Sequence, residues 1–453
     1  MVLAVVVDAS NINRLHVPQA TVPLWLSRMA TIVSIVMLVT AMTARARAAA
    51  LGDALDDRAR FDSYRVYRVV PHNEDQLTVL KHLQKSLDEL DFWKGPGRVG
   101  VPVDIMVPPH LLPDFEDTIK GNNMNSELYI KDVQRLVDQQ TNVGRSGHFS
   151  WSDYHRLDEI YAWLDALEER YPDTVTVIVG GSTYEGRQIK GVKVSFKSGN
   201  PGVFLEGGIH AREWVSPATV TYILNQLLTS DEPRIRDIAQ NYDWYIFPVF
   251  NPDGYEYTHT TNRLWRKTRS PTSDTCHGVD PNRNWGFHWK DGGSSSDPCA
   301  NHYAGPEAFS EIETRSMSQY ITSIADKIDV YLAFHSYSQL LLIPYGFSGP
   351  NNYVSNHDTL MEIGLKAAKS LSHQYGTKYI VGNIVDTIYV ASGGSADWVR
   401  GTFHTPITFT YELRDTGRYG FLLPAPKIVP TGQETLDSVV TILREGRPHI
   451  GKQ

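Results

Sequence analysis

The chain has little cysteine: two residues, Cys276 and Cys299, in 453. That excludes a zinc site built from thiolates and a scaffold stapled by many disulfides. It leaves room for one bridge closing the intervening loop, worth roughly 3 kcal/mol if unstrained. There is no basic tract and no interleaving of aromatic with basic residues; 43 Lys and Arg stand against 51 Asp and Glu, a formal net charge of −8. Nucleic acid is thereby excluded as a main partner. No Asn-x-Ser/Thr acceptor occurs, so nothing marks N-glycosylation. A long membrane-spanning run is missing too. The N-terminal apolar stretch from Met29 to Thr43 is shorter than the ~20 residues a span needs. With Arg28 before it and alanines up to Ala50 after it, it reads as a signal-peptide core and cleavage site. Residues 1–50 are therefore expected to be a targeting region, translated from Met1 or Met29, and the product to be secreted and extracellular without stable membrane association. The alternative is an anchor with Arg45 and Arg47 as its stop-transfer flank.

What is present after Phe61 is a compact alternation of elements. Residues 64–70, 99–107 and 126–133 read as strands; residues 75–90 carry Leu77, Leu80, Leu83, Leu87 and Leu90 at helical spacing, and 111–119 read as a short helix. Together they predict a small α+β unit of about 80 residues, 61–140. Residues 141–150 turn polar around Gly144-Arg145-Ser146-Gly147. An exposed loop with a single arginine suits cleavage by a trypsin-like protease, an ordinary domain linker being the alternative. A larger domain, 151–450, opens with a helix whose Leu157, Ile160, Tyr161, Leu164 and Leu167 share one face. Strands follow at 175–180, 190–196, 203–205, 244–249, 330–334 and 408–413, with a helix after Ser216-Pro217, Ser as its N-cap, and a last helix over 433–444. Such alternation predicts an α/β fold, a mixed and largely parallel sheet covered by helices on both faces. Ligands of such sheets sit beyond the carboxyl ends of the strands.

Three side chains at such ends carry chemistry. His210 and Glu213 stand three apart in Gly-Gly-Ile-His-Ala-Arg-Glu-Trp after the apolar run Val203-Phe204-Leu205, and His335 directly follows Val330 to Phe334. Two imidazoles and one carboxylate are the ligand set of a catalytic zinc, which keeps a fourth position open. A His-x-x-Glu alone recurs by chance; ligands ending two buried strands converge. Further downstream, Leu264 to Arg269 and Val279 to Trp285 place arginines and an asparagine in loops, Tyr389 precedes the flexible turn Ser392-Gly393-Gly394-Ser395, and Glu412 lies within the apolar strand Thr408 to Leu413. A carboxylate there costs several kcal/mol unless it has a purpose, whether catalysis or an ion pair with Arg414.

These segments, in this order, closely resemble the zinc metallocarboxypeptidases of the A/B subfamily from Trp151 to the end, and residues 61–140 resemble their inhibitory pro-domain. The resemblance implies a ferredoxin-like pro-domain and one Zn²⁺ held by His210, Glu213 and His335. It implies that Asp280 orients a ligand histidine, that Glu412 moves the proton of the attacking water and that Arg266 stabilises the oxyanion. Asn282, Arg283 and Tyr389 match positions gripping the terminal carboxylate of the substrate, a peptide or protein C-terminus; a guanidinium suits this because its fork pairs both oxygens. Arg212, Ser336 and Tyr337 match neighbouring subsites. Ala396 falls where B-type enzymes carry an aspartate against Lys or Arg; with Gly346, Ile384, Ala391 and Thr410 it predicts an uncharged pocket for aromatic or aliphatic termini. Asp386 nearby in sequence favours the B-like alternative. Activation by cleavage at Arg145 is implied as well. A catalytically silent protein binding peptide ends is the rival from another class, and its expected sign, loss of a ligand or of the base, is absent.

Overall fold

A computed structural model describes residues 58–87, 89–141, 149–350 and 352–451. The apolar stretch near the N-terminus and the loop with Arg145 lie outside the described residues. Among the described residues no helix is long and apolar enough to cross a membrane.

The first unit runs β1 (Arg65–Val69), α1 (Glu74–Ser86), β2 (Asp91–Lys94), β3 (Val103–Val107), α2 (Leu112–Gly121), β4 (Ser126–Ile130), followed by α3 (Val133–Thr141). Helix α1 forms where the leucine stripe predicts it. Asn73 caps it by accepting from Gln76 N–H at 2.9 Å, and Glu74 and Asp75 face its positive end. It stops at Ser86, short of Leu90, and 91–94 becomes a strand instead. The sheet order β2-β3-β1-β4, antiparallel throughout, is that of a ferredoxin-like fold.

The larger unit comprises α4 (Leu157–Arg170), β5 (Val175–Ser182), β6 (Gln188–Val194), β7 (Gly202–Gly207), α5 (Val215–Thr229), α6 (Pro233–Asn241), β8 (Asp243–Phe247), α7 (Pro252–Thr260), α8 (Ile312–Ser323), β9 (Ile328–Ser336), β10 (Leu340–Ile343), α9 (His357–Tyr375), β11 (Ile380–Asn383), α10 (Ile384–Thr387), α11 (Ser395–Phe403), β12 (Ile407–Leu413) and α12 (Ile428–Gly446). Its eight strands run β11-β10-β12-β9-β7-β8-β6-β5, and the central four, β12, β9, β7 and β8, are parallel. Antiparallel pairs β10–β12, β6–β8 and β5–β6 make the sheet mixed. One apolar face packs on α4, α5, α9 and α12 through Leu164, Ile223, Leu360 and Leu443; the other packs on α8 and α11 through Met317, Ile321 and Trp398. Burial on both faces explains why the central strands read as unbroken apolar runs. Cys276 and Cys299 are bonded, Cα to Cα 5.2 Å.

The expected N-cap of the helix after β7 fails as well. Helix α5 begins at Val215, so Ser216 is not its N-cap. The Ser216 hydroxyl instead accepts from Gly208 N–H at 2.9 Å and donates to the Phe334 carbonyl at 2.5 Å. It ties together the segments that lead into His210 and His335.

Candidate metal centre and substrate cleft

Parallel pairing of β7, β9 and β12 brings their carboxyl ends side by side. Gly207 pairs with Phe334, and His335 with Glu412. His210 lies three residues beyond β7, and the turn that follows places Glu213 beneath it. The three ligand atoms lie within 4.8 Å of one another, and all three residues are buried. His210 Nδ1 is 2.8 Å from Glu213 Oε1 and 3.1 Å from His335 Nδ1, which is 3.3 Å from Glu213 Oε2. Two ring nitrogens facing each other and a carboxylate are three acceptors unless a proton or a cation lies between them. Burial would raise Glu213, but His210 and His335 hold it well below the usual carboxylate range. Burial would lower His335, but Glu213 outweighs it and draws it up. Three ligand atoms thus converge on one buried point, and the donor set fits Zn²⁺.

The far ring nitrogen of His210, Nε2, is 3.1 Å from Asp280 Oδ1, the carboxylate–histidine arrangement that fixes the tautomer and leaves Nδ1 free for metal. Asp280 is also the partner of Arg266, whose Nη2 and Nε donate to its Oδ2 at 2.9 and 3.2 Å. Burial opposes ionisation of Asp280, yet Arg266 and His210 keep it well below its ordinary value. Arg266 Nη1 stands 3.7 Å from Glu213 Oε1, at the edge of the ligand cluster. Arg414 pairs with buried Glu434 and not with Glu412. Glu412 thus has no ion pair among the described residues and faces the cavity it shares with His210, Glu213, His335 and Arg266. Burial pushes its carboxyl up to about 8, against the pull of His335.

The same cavity is lined by Asn282, Arg283 and Tyr389. Arg283 is buried, its Nη1 donating to the Asn282 carbonyl at 2.8 Å and Nε to that of Gly293 at 3.2 Å. Leu342, Ile384, Ile388, Ala391, Ala396 and Thr410 add an uncharged stretch of its wall. Asp386 lies outside this wall, exposed and bonded to Tyr353. A different carboxyl, Asp397, was not foreseen: it lines the cavity while 2% exposed, one oxygen accepting from Gly346 N–H at 2.7 Å and the other without a partner. Burial pushes it up to about 7.

Ser336 and Tyr337 also line this cavity, Arg212 lines the adjoining one with Arg266, Arg283 and Tyr389, and the first unit covers Arg212 and Tyr337. Arg212 donates to Asp91 Oδ2 at 2.7 Å. Tyr337 donates to Asp104 Oδ2 at 2.8 Å, and Asp104 is held bidentate by Arg68 at 2.6 Å. Ser336 N–H donates to Glu213 Oε2 at 3.0 Å. Trp93 and Lys94 of β2 line the cavity directly, and Trp93 packs on Tyr337 and Phe421 with centroids 6.4 and 5.2 Å apart. Phe421 was also missed; no spacing ties it to the ligands. Gly97 approaches so closely that a Cβ there would be 2.3 Å from the Ile388 carbonyl and 3.0 Å from Tyr389 Cβ.

A buried triad with the ligand set of zinc at the ends of parallel strands, beside a carboxylate and guanidinium groups in one cleft, is the arrangement of a zinc hydrolase. Residues 160–438 match the zinc carboxypeptidase family and residues 67–140 the carboxypeptidase activation peptide, and the chain belongs to that family as an enzyme with its activation peptide attached. It is 50% identical over 404 residues to zinc carboxypeptidase A 1 of Anopheles gambiae, covering 88% of this chain and 93% of that one. It is 61% identical over 296 residues to a zinc carboxypeptidase of Simulium vittatum, covering 65% and 97%. Among solved structures it resembles carboxypeptidase A from Helicoverpa armigera, with a TM-score of 0.79, 30% identity and coverage of 87% and 99%.

Proposed function

We propose that the chain is the secreted zymogen of a carboxypeptidase that prefers aromatic or aliphatic C-terminal residues, with residues 1–50 as targeting region, 61–140 as inhibitory pro-domain, 141–150 as activation linker cut at Arg145, and 151–450 as catalytic domain. The observation that carries the preference is the run of apolar side chains Leu342, Ile384, Ile388 and Ala391 in the cavity lining, with Ala396 at the position where a basic terminus would need a fixed counter-charge. Zinc, when bound, polarises the scissile carbonyl and lowers the pKa of water. Arg283, Asn282 and Tyr389 hold the substrate's terminal carboxylate, which restricts the enzyme to chain ends. Glu412 takes a proton from the attacking water and delivers it to the leaving amine nitrogen. Arg266 offers N–H donors to the oxygen that gains charge, its orientation fixed by Asp280. Arg212, Ser336 and Tyr337 contact residues further from the scissile bond, in positions that Asp91 and Trp93 cover before activation. The activating partner is a trypsin-like protease.

The names of relatives do not fix the preference, since a carboxypeptidase B of Astacus astacus is 48% identical over 296 residues. Asp397 favours the B-like alternative, because it lines the pocket with one oxygen that has no hydrogen-bond partner. Assay of the activated enzyme on N-blocked dipeptides ending in Phe, Leu, Lys or Glu tests the reading: Phe and Leu are expected to lead, and a lead for Lys overturns it.

A further inference from the structure

Glu206 is a buried carboxyl that the reaction does not use. It is the fifth residue of β7, faces Ala333 of β9, and is 1% exposed. An aliphatic side chain would fill that place without the cost of burying a polar group. Its two oxygens accept from hydroxyls: Oε2 from Tyr331 and Oε1 from Ser395 Oγ at 3.1 Å. No ion pair to it occurs among the described residues.

Ser395 leads on to the cleft. Its backbone N–H donates to Asn282 Oδ1 at 2.9 Å. An N–H can only donate, so this bond tells the two ends of the Asn282 amide apart. The oxygen is committed to Ser395, and the Nδ2 end lies on the His335 side, 3.5 Å from its Nε2. The turn before Ser395 offers little restraint of its own, because Gly393 and Gly394 have no side chains. Both touch the arginine–asparagine segment: a Cβ on Gly393 would lie 2.7 Å from the Arg283 carbonyl, and one on Gly394 3.1 Å from Asn282 Oδ1. The Ser395 hydroxyl bond to Glu206 anchors this glycine turn to the rigid centre of the sheet. The same bond seats the start of α11, where Ala396 and Asp397 line the pocket.

We propose that Glu206 is a positioning residue for recognition of the substrate's terminal carboxylate, acting through Ser395 to hold the Asn282 amide with its N–H donors toward the cleft. The inference rests on the reading of Asn282 and Arg283 as the carboxylate grip.

The test uses the activated enzyme and two inhibitors. One is 3-phenylpropanoate, which carries a carboxylate; the other is benzohydroxamate, a zinc chelator without one. In Glu206→Gln and in Ser395→Ala, the Ki for 3-phenylpropanoate is expected to rise about tenfold, as for loss of one hydrogen bond to a charged group. KM for a blocked dipeptide rises more than kcat falls, while the Ki for benzohydroxamate and the zinc content stay at parental values. Ser395→Thr, which keeps the hydroxyl, restores the parental Ki. Combining Glu206→Gln with Ser395→Ala adds no further loss, since both cut one chain. Equal loss for both inhibitors, or no loss for either, overturns the proposal. Asn282→Ala and Arg283→Lys separate this inference from the reading beneath it. If those two weaken 3-phenylpropanoate while the Glu206 and Ser395 variants do not, the inference alone fails; if those two have no effect, both fail.

Discussion

Glu412, the proposed base, owes its proton affinity to its surroundings. Held in a cleft without an ion-pair partner, it is pushed up to about 8 by burial, a proton affinity suited to accepting and returning a proton near neutral pH. A dication at the neighbouring ligands acts in the opposite direction, so Glu412 in the loaded enzyme is ionised at lower pH than that value. Glu412→Gln is expected to lower kcat/KM by about 10²–10⁴-fold with zinc content unchanged; an active variant removes Glu412 from the role. Asp280→Asn breaks the support of His210 and is expected to weaken zinc binding about 10–100-fold in a competition titration with a chelator; unchanged affinity would show that the His210 ring is held by other contacts. Asp397 makes a pH-dependent claim. Raised to about 7, its carboxyl is neutral at pH 6 and charged at pH 8. The ratio of kcat/KM for a C-terminal Lys to that for Phe is therefore expected to rise across this interval and to stay flat in Asp397→Asn. A flat ratio in the parental enzyme means the free oxygen does not reach the substrate.

Elements place these residues, and the sequence showed some elements far better than others. Runs such as Val203-Phe204-Leu205 and Val330 to Phe334 announce strands buried on both faces, and ligands at their ends could be read directly. Four-residue β2, Asp-Phe-Trp-Lys, has neither alternation nor a run of apolar residues, so the strand that enters the cleft was hidden behind an overextended leucine helix. Ser216 misled for a different reason: serine before an apolar helix suggests a cap, but its hydroxyl is drawn into tertiary bonds with Gly208 and Phe334. Phe421 belongs to the cleft only through folding, since nothing in its local sequence differs from ordinary core, whereas Asp397 directly follows Ala396, already read as a pocket position. Close approach of β2 and its following turn suggests a test at this scale. Gly97→Ala places a methyl 2.3 Å from the Ile388 carbonyl, too near for any real contact, so the pro-domain must shift off the Tyr389 loop. The variant zymogen is expected to reach full activity sooner after trypsin treatment than the parent; an identical lag would show that this contact does not hold the pro-domain.

At the scale of the whole molecule, a small antiparallel sheet lies over the active end of a larger mixed one. Contacts such as Asp104–Tyr337 and Asp91–Arg212 join the two. Because Trp93 and Lys94 line the catalytic cavity, substrate access and pro-domain docking compete for one space. The proposed activity nevertheless depends on His210, Glu213 and His335 sharing a metal ion. The most direct measurement is metal analysis of the purified, activated protein combined with hydrolysis assays before and after chelation. One zinc per chain is expected, with activity lost on chelation and restored by added Zn²⁺. Hydrolysis that persists in protein stripped of metal would contradict the account.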